Sequence, residues 1–377
     1  MRSGSLRIAV LGAGPIGIEA ALCAKSHGHT VAVYERGQVG EQLLRWGHAK
    51  MFTPFGANVS PLGLEALQRE KKSKDIPAAT DLLTGRQFRD AYLVPLSESE
   101  TLIECMHPQN VVMQVGRATS LKKSEADGPL PFRLLVRSLS TNAERIETAD
   151  MVLDCTGVNA TPNWLGDGGL PAVGEIAARQ QIPHLLEDVL GEKKDFYAGR
   201  SIVLVGGGYS AAHTICQLAT LAEEHPATWV FWLTHSPRGA PLPRLPNDPW
   251  KERDKLAAKA NSLATRCDGN LEFHPQTQLD ELISHGPDKG FRVAGRSNGK
   301  PVSWDVDRVI GCTGFRSDLR LSGSLKVDEP AGRIETREPG YFILGAKSFG
   351  RDPGFFLKEG IEQVRRVFAS LGSKKAA

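Results

Sequence analysis

The residues best placed to do chemistry in this chain are two short glycine clusters. The first is Gly12-x-Gly14-x-x-Gly17, with Pro15 and Ile16 between the last two glycines. It follows an apolar run, Leu6 to Leu11, and opens a helical stretch that reaches about His27. The first glycine permits a tight turn, the second lets a pyrophosphate approach the backbone, and the third lets helix and strand pack closely. A second strand-like run, Thr30 to Tyr34, leads to Glu35, 18 residues beyond Gly17, with Arg36 next. A carboxylate there accepts both ribose hydroxyls of an adenosine, so the spacing predicts a dinucleotide site. A glycine-rich turn with no ligand is the alternative.

The second cluster, Gly206-x-Gly208-x-x-Ala211, repeats the pattern between the strand-like Ser201–Val205 and a helix to about Glu224. Tyr209 and Ser210 complete the motif, and the next strand-like run is Thr228 to Leu233. Thr234 stands where Glu35 stands in the first cluster, followed by His235, Ser236 and Arg238. A 2′-phosphate is repelled by a carboxylate and held by arginine with hydroxyl donors. This end therefore predicts NADPH in preference to NADH, with His235 and Arg238 near the phosphate; a solvated Arg238 is the plain alternative.

These motifs require alternating strands and helices. Two β-branched-rich runs each end in Cys-Thr-Gly: Ala149 to Cys155 before Thr156-Gly157, and Val306 to Cys312 before Thr313-Gly314. Two glycine modules, each with its own strand-Thr-Gly element, predict two similar Rossmann-like α/β domains. Phe132 to Val136 and a turn near Asn142 suggest a small antiparallel meander. Gly166 to Pro171 reads as a connecting loop, and five prolines between Pro237 and Pro249 make an irregular excursion. Residues 40–110 allow only short helices. Leu357, Ile361, Val364 and Phe368 give a final helix one apolar face.

Composition sets the class. The 377 residues suffice for one to three domains, and 41% hydrophobic with 24% charged residues exclude a long disordered chain. A formal charge of +3 gives no basis for a nucleic-acid or membrane partner. Ser201 to Ala222 lacks Asp, Glu, Lys and Arg, but its triple glycine and polar residues read as strand, turn and helix. The N-terminus lacks a signal-peptide pattern. Six cysteines form no C-x-x-C pair and no zinc spacing, so reduced thiols in a cytoplasmic protein without a metal are expected.

GAGPIG with Glu35, GGGYSA, DCTG at Asp154–Gly157 and GCTG at Gly311–Gly314 resemble the two-dinucleotide-binding-domain flavoproteins over nearly the whole chain. That superfamily includes thioredoxin-reductase-like enzymes and the flavin-containing, N-hydroxylating and Baeyer–Villiger monooxygenases. The resemblance implies FAD on the first module, NADPH on the second, and an FAD domain interrupted by the NADPH domain. The implied boundaries are 1–165 and 310–377 for FAD, and 166–309 for NADPH. It implies FAD contacts from Gly12, Gly14, Pro15, Ile16, Gly17, Glu35, Arg36, Val115, Thr156, Gly157 and Gly345. It implies NADPH contacts from Gly206, Gly208, Tyr209, Ser210, Ala211, His235 and Arg238, and it places the strand-Thr-Gly elements, Thr313 and Gly314 included, close to both cofactors. The segment Gly40 to Phe55 should run along the flavin, placing Trp46 and His48 at the flavin or the substrate; packing is the alternative. Relatives carry Gly-Asp after the last strand, whereas this chain has Gly345-Ala346. Either Lys347-Ser348, with Arg351, meet the flavin differently or the loop is displaced. The helix after Pro353 could aim its N-terminus at the flavin.

The reaction is read less directly. Without C-x-x-C, thioredoxin-reductase chemistry of the usual kind is disfavoured, and Cys155 and Cys312, inside apolar runs, read as core. The leading expectation is a monooxygenase-like oxidoreductase acting on a small molecule, with Trp46, His48 and Lys347 as candidate catalytic residues. An NADPH-dependent disulfide or quinone-type reductase without its own cysteine pair, and a non-catalytic FAD/NADP redox sensor, are the alternatives. The substrate pocket should come from residues 40–110 and Arg238–Trp250. Oligomeric state has no signature in the sequence.

Overall fold

A computed structural model describes residues 4–70, 76–119, 130–266, 269–350, 352 and 354–373. Cys267, Arg351 and Pro353 lie outside the described residues. In chain order the strands are β1 (Arg7–Leu11), β2 (Thr30–Tyr34), β3 (Met106–His107), β4 (Asn110–Arg117), β5 (Phe132–Ser138), β6 (Glu144–Ala149), β7 (Met151–Asp154), β8 (Ser201–Val205), β9 (Trp229–Leu233), β10 (Leu271–His274), β11 (Thr277–Ser284), β12 (Phe291–Ser297), β13 (Lys300–Val306), β14 (Arg308–Gly311) and β15 (Tyr341–Ile343).

The chain forms two compact units, one of residues 1–161 with 316–377, the other of residues 162–315 inserted between them. The divisions fall at 161/162 and 315/316, not at 165/166 and 309/310. The second shift has a clear cause: β14 pairs with β8 in the second unit's sheet, which carries Cys312 to Gly314 with it.

In the first unit a parallel sheet of order β15-β7-β1-β2-β3 is covered on one side by the helices Pro15–Ser26 and Leu357–Ser373. Ile361, Val364 and Phe368 supply the buried face expected of the final helix. The other side packs on the antiparallel sheet β4-β5-β6, with Val115, Phe132, Leu134 and Tyr341 in the core between them. The turn between β5 and β6 uses Asn142 at φ 60°, a conformation asparagine tolerates.

The second unit repeats this arrangement. Its parallel sheet, β10-β9-β8-β14, packs on the helices Tyr209–Glu224 and Lys251–Thr265 on one side. The antiparallel sheet β11-β12-β13 covers the other. This second meander had no clear sequence signal. The proline-rich excursion is irregular but anchored: Asn261 exchanges two hydrogen bonds with the backbone of Leu242, and Asp254 binds Arg244 and the N–H of Leu245.

Candidate functional site

Each glycine motif lies where its sheet's strands end and a helix begins. At Gly12, φ is 94°, and a Cβ would sit 2.8 Å from the Cys155 carbonyl oxygen. A Cβ on Gly17 would overlap the Gly12 carbonyl oxygen, so the first helix lies directly against its own turn. Above Gly14 there is open space. These three observations are the backbone geometry that the motif requires of each glycine. Ile16 turns inward and packs beside Gly345 and Gly360, leaving its backbone for a ligand.

Two helix N-termini elsewhere in this unit are capped by side chains: Ser60 accepts from the N–H of Gly63, and Thr84 forms a capping box with Gln87. The helix after Gly14 has no side-chain cap, and neither does the helix after Gly208. Uncapped amides and the helix dipole make both ends receptive to an anion.

Glu35 follows β2. Its Oε2 accepts from the N–H of Ala13 and its Oε1 from the N–H of Gly37, both at 2.8 Å. Each carboxylate oxygen retains acceptor capacity for a ribose hydroxyl. Arg36 is exposed beside it. Val115, by contrast, is fully buried in the inter-sheet core, so only its backbone can meet a ligand.

The second module has the same skeleton. Gly206 N–H donates to the Leu233 carbonyl as Gly12 N–H donates to that of Tyr34; Thr234 N–H donates to His274 as Glu35 N–H donates to His107. Gly206 adopts φ 137°, and its Cβ position lies against Cys312. Gly207, Gly208 and Ser210 are exposed, with open space above Gly208. Ala211 is buried in the core at the third motif position. The Arg253 guanidinium lies 5.2 Å from the Tyr209 ring centroid.

Thr234 is only 1% exposed, and its hydroxyl oxygen has no hydrogen-bond partner among the described residues. Such a group is costly to bury unless a ligand or water satisfies it. His235 faces a carboxylate that the sequence did not reveal: its Nε2 lies 3.6 Å from Asp167, with Arg296 4.0 Å from the same group. Arg238 is exposed, its N–H donating to Ser236 Oγ at 3.3 Å.

The two Cys-Thr-Gly loops lean on the glycine turns. Thr313-Gly314 is pinned by Asn163, whose side chain donates to the Thr313 carbonyl and whose carbonyl accepts from the Thr313 hydroxyl. Asn163 lies 150 positions from Thr313, so no local pattern marks it.

In the first unit the corresponding loop is held by Asp154. Its carboxylate accepts from the N–H and hydroxyl of Thr156, from the Tyr341 phenol at 2.8 Å and from Lys347 Nζ at 2.6 Å. Lys347 Nζ also donates to Thr156 Oγ1 at 3.1 Å. Lys347 is 1% exposed and Asp154 0%. Lys347 is therefore an internal counter-ion to Asp154 and not a solvent-facing catalytic group. Burial, reinforced by the Asp154 charge, holds the Tyr341 phenol well above its ordinary range. Ser348 is buried too, donating to the Gly345 carbonyl and accepting from Gln363, which also takes the Gly345 N–H. The whole Gly345–Ser348 turn is thus tied inward.

Trp46 packs against Gly85, where a Cβ would come within 2.7 Å of its ring. His48 is half-buried with Nε2 enclosed. Gln42, which the sequence reading passed over, has a buried amide oxygen without a partner among the described residues. Its helix, Glu41–Arg45, begins after Gly40, whose N–H binds the Ala13 carbonyl of the glycine turn.

Cys23, Cys105, Cys155, Cys216 and Cys312 are free and buried. Burial pushes the Cys312 thiol up to about 12 and the Cys155 thiol higher still, the latter aided by the Asp154 charge. Neither is a thiolate at neutral pH.

No family model matches the chain. A 34% identical match over 89 residues links it to dihydrolipoyl dehydrogenase from Chlorobaculum parvum, covering 20% of this chain and 19% of that protein. The chain thus spans about a fifth of that curated relative. Whole-chain similarity comes from solved structures. Bacillithiol disulfide reductase from Bacillus cereus superposes with TM-score 0.70 at 16% identity, covering 98% of this chain and 100% of that one. An ornithine N-hydroxylase from Kutzneria sp. 744, solved with reduced FAD, NADP+ and L-ornithine, gives TM-score 0.66 at 16% identity, covering 99% and 100%. Thioredoxin reductase from T. acidophilum gives 0.62 at 15% identity, covering 99% of each. The resemblance carried by the glycine and Thr-Gly motifs holds in three dimensions: this chain has the fold of the two-dinucleotide-domain oxidoreductases.

Proposed function

We propose that the protein is an FAD-dependent, NADPH-oxidising oxidoreductase of monooxygenase-like type that acts on a small molecule. The observation that carries this reading is the pair of uncapped helix N-termini behind open glycine turns, one ending at a carboxylate and the other at an unpartnered hydroxyl. FAD would be held by the Gly12–Gly17 turn, Glu35, Arg36, the Val115 backbone, Thr156-Gly157 and the Gly345 turn. NADPH would be held by Gly206, Gly208, Tyr209, Ser210, Ala211, Thr234, Thr313 and Gly314, with His235 and Arg238 at the 2′-phosphate. FAD, when bound, supplies a two-electron acceptor for the NADPH hydride and a donor to the next acceptor.

The chain's own groups then have defined tasks. Glu35 orients the adenosine of FAD; the helix N-termini neutralise pyrophosphate charge; Arg238 and Ser236 favour the extra phosphate. The described cysteines are buried and protonated, so electrons leave for an acceptor outside the polypeptide. Oxygen with an organic substrate is the leading acceptor. The second reading is a reductase that passes electrons directly to a small disulfide or quinone.

Stopped-flow absorbance separates these. The protein carrying FAD is reduced with NADPH without oxygen and then mixed with oxygenated buffer and candidate amines or sulfides. An oxygen-dependent transient, different from both oxidised and reduced spectra and followed by oxygenated product, is expected. Direct return to the oxidised spectrum with every substrate would favour the reductase. Failure of NADPH to bleach the flavin would leave a non-turnover sensor.

A further inference from the structure

We propose that Lys347 and Asp154 form a positioning pair for the FAD site, a charge lock that joins two of its three walls before any cofactor arrives. The proposal rests on the reading of the first unit as the FAD-binding unit. Three strands end at one level there: in register, Asp154 of β7 pairs with Leu11, the last residue of β1, and with Ile343, the last of β15. Each strand then opens into a loop. Gly12 follows β1, Cys155–Gly157 follows β7, and Gly345–Phe349 follows β15.

The first two loops touch directly, since a Cβ on Gly12 would lie 2.8 Å from the Cys155 carbonyl oxygen. The Gly345 loop is joined to the middle loop by Lys347, whose ammonium reaches Asp154 Oδ2 at 2.6 Å and Thr156 Oγ1 at 3.1 Å. The same loop is held in place by two further bonds. Ser317 Oγ donates to the Lys347 carbonyl at 2.7 Å, and Gln363 takes the Gly345 N–H at 2.8 Å. Nearby charge is also arranged: Asp318, held down at about 2 mainly by its bond to Arg320, lies close enough to Lys347 for the ammonium to contribute.

A lysine and an aspartate with essentially no exposure are expensive to bury and do not both persist by packing alone. A buried pair of this kind is best attested as a device that specifies one arrangement among several. Here that arrangement is the spacing between the Thr156-Gly157 and Gly345 loops. With that spacing set in advance, less ordering remains to be done when the cofactor binds, and retention improves through a slower dissociation.

Removing Lys347 alone leaves a buried unpaired carboxylate, so Lys347→Met is a poor single test because it can unfold the chain. The decisive variant is Asp154→Asn with Lys347→Met, which removes both charges and keeps the Oδ1 acceptor for Thr156, the amide NH2 facing the Tyr341 hydroxyl oxygen as a donor. FAD release from the purified protein is followed by the rise of free-flavin fluorescence on dilution, beside thermal unfolding and NADP+ affinity. The expected result is FAD release about tenfold faster, with unchanged NADP+ affinity and near-wild-type unfolding of the FAD-stripped protein. Wild-type FAD release in the double variant would overturn the proposal. So would parallel loss of FAD retention, NADP+ affinity and stability, which is the mark of a merely structural pair. If the wild-type protein binds no FAD, the proposed function itself falls, and the pair's assignment falls with it.

Discussion

The two Cys-Thr-Gly loops share a backbone setting but not a support. In the first unit the residue before the cysteine is Asp154, and its carboxylate collects four donors, including a buried ammonium. In the second it is Gly311, and a Cβ there would lie 2.6 Å from His184 Nδ1. Burial, with Arg179 nearby, lowers His184 to about 4, so a neutral imidazole fills the space that a charge pair fills in the other unit. One architecture therefore accepts two solutions: ionic cross-linking where distant loops must be joined, and close packing where Asn163 already pins the loop.

The glycine turns differ in the same way, and the largest expected effect lies there. Gly17 has no room for a Cβ, whereas its counterpart in the second unit is already Ala211. Gly17→Ala should destabilise the first unit by about 1–3 kcal/mol through overpacking and abolish flavin retention. Purified yield, flavin absorbance and thermal unfolding measure this. A yellow, stable Gly17→Ala protein would show that the first helix can shift as the second does.

A middle-sized effect is expected at the adenosine ends, where Glu35 and Thr234 differ. Arg238→Ala should raise KM for NADPH about tenfold and leave KM for NADH nearly unchanged, the loss of one charge-assisted contact. Equal changes for both coenzymes would assign Arg238 to solvent. The carboxylate of Asp167 beside His235 leaves Arg238 as the cation whose removal reads the phosphate most directly.

The smallest effect concerns the second turns of the two helices. Glu19 occupies the position that His213 occupies in the second unit, counted from the third motif residue. Burial raises the Glu19 carboxyl above its ordinary range, against the opposing influence of the Ser60 bond and Arg365. An acid raised on folding stabilises the fold at low pH and loses that contribution as pH rises through its folded value. Glu19→Gln should therefore raise the unfolding temperature by about 2–4 °C at pH 8 and little at pH 4.5. An equal shift at both pH values would mean that packing, not ionisation, sets the cost.

Much of the geometry of the two glycine turns was legible because it is local. A glycine turn, the uncapped helix behind it and the residue ending the next strand lie within about two dozen positions, so spacing alone carries their relation. The same locality explains why the final amphipathic helix and the β5–β6 meander were readable. The β11–β13 meander was not read from the sequence, although β12 and β13 pair in continuous register from Phe291 to Ser297.

The residues themselves determined the two strand–glycine-turn–helix modules, their difference at Glu35 and Thr234, and the lack of a C-x-x-C pair. Only the tertiary structure decided how those modules are supported. Lys347 meets Asp154 across 193 positions and Asn163 meets Thr313 across 150, while Asp167 comes to His235 from a separate loop. Such pairs depend on which strands become neighbours in a sheet, and sheet order is a long-range property that local periodicity does not encode. For the same reason Lys347, a plausible proton donor on its type and position, became a counter-ion once β7 and β15 were placed side by side.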